Sequence, residues 1–374
     1  MSQSIILFRN NLRLQDNQAL TQSLKHSSCY PIYISDTTIK QKGAASTVWL
    51  YHSLKSLNKA LNNSLSFFKG NTAEIITKLI TNNAIDTIYI DRQFEPETDK
   101  IDQKVKTICQ SLNCKVIITT QRTLWDITTI SKDDGTPYKV FTPFFKNGCL
   151  TMPEPSSPLP APSLTNLTRL SQTHSLDDII KLPTKSWVNA IVKSWDISEN
   201  GANKQWNTFL NQGLDNYKQG RNFPIKPFVS RLSPYIHYGQ ISIQTLYHQT
   251  KMHGHDSNHY HFISELGWRE FSYYLLHHFP SITTQNFQSK FDQFPWEFNE
   301  SHYNAWCHGQ TGFPIVDAGM RQLYQTGYMH NRVRMICGSF LVKNLLIDWR
   351  FGEKWFWDCL FDADFANNVA GWQW

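Results

Sequence analysis

An α/β domain followed by an all-helical domain is the fold this sequence predicts, and three observations predict it. Five short apolar runs alternate with helical periodicity in the first third of the chain. A proline-rich stretch then interrupts regular structure, and from about residue 197 the helical pattern continues to the end. At 374 residues the chain is also too long for one compact core, so two domains are the default.

The strand candidates are residues 4–8, 29–34, 65–69, 86–91 and 115–120. Helical stretches lie between them, clearest in "GAASTVWLYHSLKSLNKAL" (43–61) and "ETDKIDQKVKTICQSL" (97–112). Strands separated by helices make βαβ units, so residues 1–128 are expected to form a Rossmann-like, five-stranded parallel sheet. The loop after the first strand reads "RNNLRLQDN" and lacks GxGxxG, so the ordinary dinucleotide fingerprint is absent. Residues 129–196 are the connector. Within it "TMPEPSSPLPAPS" (151–163) has five Pro in thirteen residues, which suits neither a helix nor a central strand. Residues 197–374 are the helical domain.

A composition of 40% hydrophobic and 18% charged residues describes a globular protein. Its aromatic share, 14% with 13 Trp, points either to an aromatic-rich core or to a site that stacks flat ligands. A net charge of +6 permits a nucleic-acid partner without requiring one. The seven Cys form no CxxC pair, so neither a disulfide framework nor a metal site is expected. "MSQSIILFRNNLRLQDN" is not a signal peptide and no run is long enough to span a membrane, so a cytoplasmic protein is expected, and a monomer is the expectation for its assembly.

Three segments of the helical half mix polar and planar groups on one face. In "ELGWREF", Glu265, Trp268 and Arg269 stand at i, i+3, i+4. In "MHNRVRM", Asn331, Arg334 and Met335 repeat that spacing, and Asp364, Asn368 and Trp372 follow at i, i+4, i+8. A core face would be uniformly apolar and a solvated face would lack Trp and Met. Three such faces suggest a polar pocket for something flat with many hydrogen-bonding edges, such as a flavin. The run Ser230-Arg231-Leu232-Ser233-Pro234 adds hydroxyls and amides before a proline-started helix, which serves as a simple N-cap or as an anion site.

Together "FRNNLRLQDNQAL", "RNFPIKPFVSRLSPYIHYGQIS", "ELGWREF", "TGFPIVDAGMRQLYQTGYMHNRVRMICGSFLVKNLLIDWR" and "DADFANNVAGWQW" resemble the photolyase/cryptochrome family, with class I cyclobutane pyrimidine dimer photolyases the nearest match. The resemblance implies a helical domain that binds FAD, and light-driven repair of DNA containing pyrimidine dimers. It implies that Tyr217, Ser230, Arg231, Leu232 and Ser233 hold the diphosphate and ribityl chain. Arg334 and Asp362 would pair beside the isoalloxazine, Asp364 would accept from its polar edge, and Asn368 would sit against N5. Trp268 and Trp374 would wall the flipped dimer, with Glu265 donating to its bases and Asn331 and Met335 lining the cavity. Arg221, Arg269 and Arg332 would contact phosphates. Trp372, Trp349 and Trp306 would relay electrons from flavin to surface.

Some positions depart from the family. Val229 stands where Thr is usual, and Tyr328 where Trp is common. "QFEPETDK" has Glu97-Thr98 in place of the folate-type Asn-Glu pair, so a second antenna chromophore of folate or deazaflavin type is left undecided. The family continues beyond "GWQW" into a "PYFRIFNP"-like segment, so a C-terminally truncated chain or a fragment is expected. The alternatives to repair are a cryptochrome-like blue-light sensor and an inactive truncated protein. A (6-4) photolyase ranks lower, because Asn331 follows His330 where that group has a second His.

Overall fold

The computed structural model describes residues 2–184 and 187–373. Five parallel strands, β1 (Gln3–Phe8), β2 (Ser28–Asp36), β3 (Ser66–Gly70), β4 (Thr87–Asp91) and β5 (Lys115–Thr119), stand in the order β3-β2-β1-β4-β5. The helices α1 (Gln18–Ser23), α2 (Ala44–Ala60), α3 (Thr72–Asn83) and α4 (Pro96–Ser111) return the chain between them. Alternation along β1 sends its residues to two cores. Ile6 and Phe8 join Trp49 and Leu54 of α2 on one face, while Ile5 and Leu7 join Ile76 of α3 and Val105 of α4 on the other. With both faces covered, Ile5 through Phe8 are all at most 1% exposed, which explains an unbroken apolar run.

The strand order reverses beside β1, so the gap between the ends of β1 and β4 is the topological switch point. The helical domain docks there. Leu12 N donates to the Tyr238 carbonyl at 3.0 Å and the Arg13 guanidinium to the Gly239 carbonyl at 3.1 Å. Gly239 has φ +67°, and a Cβ on it would lie 2.0 Å from the Asn10 carbonyl oxygen, so no other residue allows this approach. From α2, Trp49 Nε1 donates to Gln240 Oε1 at 2.9 Å, and the Tyr238 hydroxyl donates back to the Ser46 carbonyl at 2.8 Å.

In the connector, residues 152–163 form no regular element and are mostly exposed. Residues 141–149 behave differently: Phe141, Phe144 and Phe145 are buried against the helical domain. That domain is organised by the 22-residue helix Ser257–His278, capped by Asp256, which accepts from the Asn258 and His259 amides. Trp306, Met320, Val333, Leu341 and Phe356 from the later helices form a separate core. Among the described residues no helix is long and apolar enough to cross a membrane.

Candidate functional site

The Ser257–His278 helix presents Glu265 to a half-open rim. Both carboxylate oxygens meet the Arg221 guanidinium, one at 2.9 Å. Arg221 is only 6% exposed and also reaches His261 Nε2 at 2.9 Å, one turn before Glu265. Its guanidinium stands 5.3 Å over the Tyr217 ring. The neighbouring Asn222 side chain accepts from Arg332 Nε at 2.9 Å, and Arg332 meets Met335 Sδ at 3.3 Å. Arg332, Met335 and the exposed Asn331 lie in the first turns of helix Asn331–Ser339. Six residues singled out in the sequence therefore share one rim: Tyr217, Arg221, Glu265, Asn331, Arg332 and Met335. One detail differs from expectation. Glu265 accepts from Arg221 with both oxygens, rather than standing free to donate.

His330 caps that helix. Its Nδ1 accepts from the Arg332 amide, so Nε2 carries the proton, and that buried N–H has no partner among the described residues. Burial, then the charges of Arg221 and Arg332, push the imidazole below its ordinary value.

Deeper in, Arg334 and Asp362 form a bidentate pair at 3.0 and 2.9 Å, and Arg334 Nε donates to the Met329 carbonyl at 2.8 Å. Tyr328 lies between this pair and the 230–233 loop, with Arg334 5.7 Å and Arg231 5.1 Å from its ring. Arg231 sits at φ +53°, a left-handed conformation that is costly outside glycine. Leu232 anchors the loop in the core, while Ser233 is exposed at the start of helix Ser233–His237. Ser230 is tied by its carbonyl to Gln205 at 2.9 Å.

Asp364 does not have the free edge expected of it. One carboxylate oxygen accepts from Arg122 at 2.9 Å, from His237 Nδ1 at 3.2 Å and from the Tyr273 hydroxyl. The other accepts from the Asn367 amide and side chain at 2.9 and 2.7 Å. A carboxylate has about four lone-pair positions, so none is left for a ligand edge. Burial alone would raise its pKa, but the His237 hydrogen bond and the Arg122 charge hold it well below the usual carboxylate range. Arg269 joins this inner network too. It donates to the Arg122 carbonyl at 2.7 Å and to Glu270 at 3.3 Å, which turns it away from the outward phosphate role. Asn368 donates to the Glu353 carboxylate at 3.0 Å.

The tryptophans divide. Trp372 and Trp306 meet edge-on with ring centres 6.3 Å apart, and Phe356 packs on both. Trp306 is fully buried and donates to the Cys337 carbonyl at 3.0 Å, so it cannot be the surface end of a relay. Its apolar neighbours Tyr303, Phe356 and Trp372 enclose it. Trp349 stands apart, donating to Asn286 at 2.8 Å, and among the described residues no ring pairing joins it to the other two. Trp268 stacks flat on Phe141 at 3.8 Å. Trp374 lies outside the described residues.

Sequence reasoning missed Arg122, His237, Tyr273 and Phe141. Arg122 and Asp364 are 242 residues apart, and no local spacing announces such a pair. Phe141 had one signal, the clustered Phe of "VFTPFF" at the head of a proline-rich run.

Residues 4–163 match the DNA photolyase family, and residues 262–374 match the FAD binding domain of DNA photolyase. A deoxyribodipyrimidine photo-lyase of Agrobacterium fabrum is 39% identical over 379 residues, covering 99% of this chain and 79% of that protein. The chain belongs to the photolyase/cryptochrome family. Cryptochrome-2 of Arabidopsis thaliana is 31% identical over 99% of this chain and 64% of its own length. The crystal structure of a bacterial class III photolyase from Agrobacterium tumefaciens superposes with a TM-score of 0.94 at 38% identity, covering all of this chain and 79% of that one. The class I match suggested by the motifs is therefore carried no finer than the photolyase/cryptochrome family.

FAD is the cofactor of the photolyase domain matched by residues 262–374. The residues present fit it. His330 offers a buried, unpaired N–H, Ser233 an exposed hydroxyl, and Arg231 and Arg334 fixed positive charge near Tyr328.

Proposed function

We propose that this photolyase homologue repairs DNA by splitting cyclobutane pyrimidine dimers in light. The observation that carries the reading is the rim where Arg221, Glu265, Asn331, Arg332 and Met335 come together from three segments, with Trp268 one turn after Glu265 on the same helix. A lesion must leave the base stack before chemistry on it, and the handling of a flipped base needs a planar wall, polar contacts to its edges and cations for the backbone. Trp268 supplies the wall, stiffened from behind by Phe141. Asn331 and Met335 line the cavity, one polar and one apolar. Glu265 holds Arg221 in place and meets the bases, and Arg332 and Arg221 face the phosphates. Tyr217, Ser230, Arg231, Leu232 and Ser233 would hold the phosphates of FAD, and Arg334, Asp362 and Asn368 would border its ring. Reduced FAD supplies the electron that no side chain can. Trp372 would carry electrons inward when the cofactor needs reducing.

Purified protein reconstituted with FAD and reduced is mixed with an oligonucleotide holding one thymine dimer, and thymine recovery is compared in light and dark. Light-dependent recovery supports repair. Photoreduction of FAD with no recovered thymine supports the cryptochrome-like sensor, which the similarity to the plant cryptochrome keeps in play.

A further inference from the structure

The cysteine spacing gave no reason to expect a metal, yet three other side chains converge on one point away from the rim. Asp215 lies in the turn Leu214–Asn216, His253 ends the helix Ile243–His253, and His259 lies in the first turn of Ser257–His278. Asp215 Oδ1 is 3.5 Å from His253 Nε2 and 3.9 Å from His259 Nε2, and the three atoms all lie within 4.8 Å of one another. Ligands at about 2.0–2.1 Å around a tetrahedral zinc stand about 3.3 Å apart, so the two contacts to Asp215 are already near that spacing and the imidazoles close in by rotation of the exposed His253 side chain.

His259 is the decisive member. It is 5% exposed, and its Nε2 is buried with no hydrogen-bond partner among the described residues. A buried ring nitrogen left unpaired is costly unless something meets it. Its other nitrogen, Nδ1, is 2.7 Å from the Asp256 carboxylate. A carboxylate only accepts, so Nδ1 holds the proton and Nε2 directs its lone pair at Asp215 and His253. This carboxylate-histidine pairing is the support that metal-binding imidazoles commonly have. Gly254 permits the approach, since a Cβ there would lie 2.8 Å from His259 Nε2.

We propose that Asp215, His253 and His259 bind one borderline divalent cation of the zinc type, with Asp256 orienting His259 and a fourth position left to water. Two imidazoles and one carboxylate suit such an ion better than calcium or magnesium, which prefer all-oxygen sites. The ion ties together three segments, two of which are also joined by the Lys218 amide donating to Asn258 Oδ1 at 3.0 Å and by the Arg221–Glu265 pair. One leads directly into Tyr217 and Arg221, and another is the helix that carries Glu265 and Trp268. Its role is that of a staple behind the rim.

The test uses the full chain, stripped with chelator and then equilibrated with Zn²⁺, with bound metal counted after dialysis and the melting temperature recorded. One equivalent should bind and raise the melting temperature. Asp215→Asn with His253→Gln, both at exposed positions, should abolish the binding and the rise while leaving the metal-free melting temperature near the parent's. Asp256→Ala should weaken affinity by about 10–100-fold, the usual effect of losing such a support. Absence of stoichiometric binding, or binding that survives the double variant, overturns the proposal. In the second case zinc sits on others of the 14 His.

Discussion

Phe141 lies flat on Trp268, ring centres 3.8 Å apart and planes 12° from parallel, and Phe145 continues the stack behind it at 5.4 Å. Two rings from the connector thus fix the tilt of an indole in the helical domain. Phe141→Leu, which keeps most of the volume, should weaken dark binding of dimer-containing DNA several-fold and leave undamaged DNA unaffected. Loss of an aromatic pair costs about 0.5–1.5 kcal/mol. Unchanged dimer binding would mean the wall does not need its backing.

Glu265 and Arg221 depend on each other. The guanidinium is the more buried partner, with 7% of its side chain exposed against 27% for Glu265. Glu265→Ala strands that charge, so it should destabilise more than the double variant Glu265→Ala with Arg221→Ala. A coupling of about 0.5–3 kcal/mol is expected from denaturant melts. Repair per absorbed photon should also fall in Glu265→Ala. Additive melts would remove the pair from the account.

The inner network makes stability depend on pH through two opposed groups. Burial pushes Glu270 from 4.5 up to about 7. Its contribution is full below 4.5 and is lost as pH rises through about 7, because the folded state holds the proton longer. Burial pushes His237 from 6.5 down to about 4, so the unfolded state takes the extra proton and stability rises with pH across that window. The two slopes oppose each other between about 4.5 and 6.5. Glu270→Gln should leave the rising slope alone and steepen the melting-temperature profile there. A profile parallel to the parent's would show that Glu270 does not titrate in this range.

Trp306 and Trp372 touch but should fail differently. Trp306→Phe removes the donor to the Cys337 carbonyl and should cost about 1–3 kcal/mol in stability, with photoreduction of FAD retained. Trp372→Phe should slow photoreduction far more than it lowers the melting temperature. Flavin bleaching under blue light with an added reductant separates the two. Equal loss of photoreduction in both would return Trp306 to the relay.

What was legible in the sequence was local. The five strands and the helices of the sheet follow from apolar runs and a 3.6-residue period, and Glu265, Asn331 and Met335 of the rim from i, i+3, i+4 spacing on single helices, while Tyr217, Arg221 and Arg332 come with the family resemblance. Long-range relations were not legible. Asp364 carries the same spacing as its neighbours, yet Arg122 from the other domain claims it. Trp306 is assigned to the relay by the family resemblance, but its burial is set by Phe356 and Trp372 further along the chain, and periodicity is blind to them. The metal cluster escaped for the same reason, since its ligands come from three segments brought together by the fold.

In an open doubly wound sheet, the cleft where strand order reverses is where a nucleotide usually settles. Here Tyr238, Gly239 and Gln240 fill that cleft, with Gly239 pressed against Asn10. The sheet has become a socket, and its guest is the rest of the same polypeptide. Any side chain at Gly239 would act as a wedge, and the first thing to shift would be the register of one half on the other. Severing the backbone in the exposed proline-rich run should therefore leave two pieces that stay clasped, copurifying as a nicked pair until denaturant parts them.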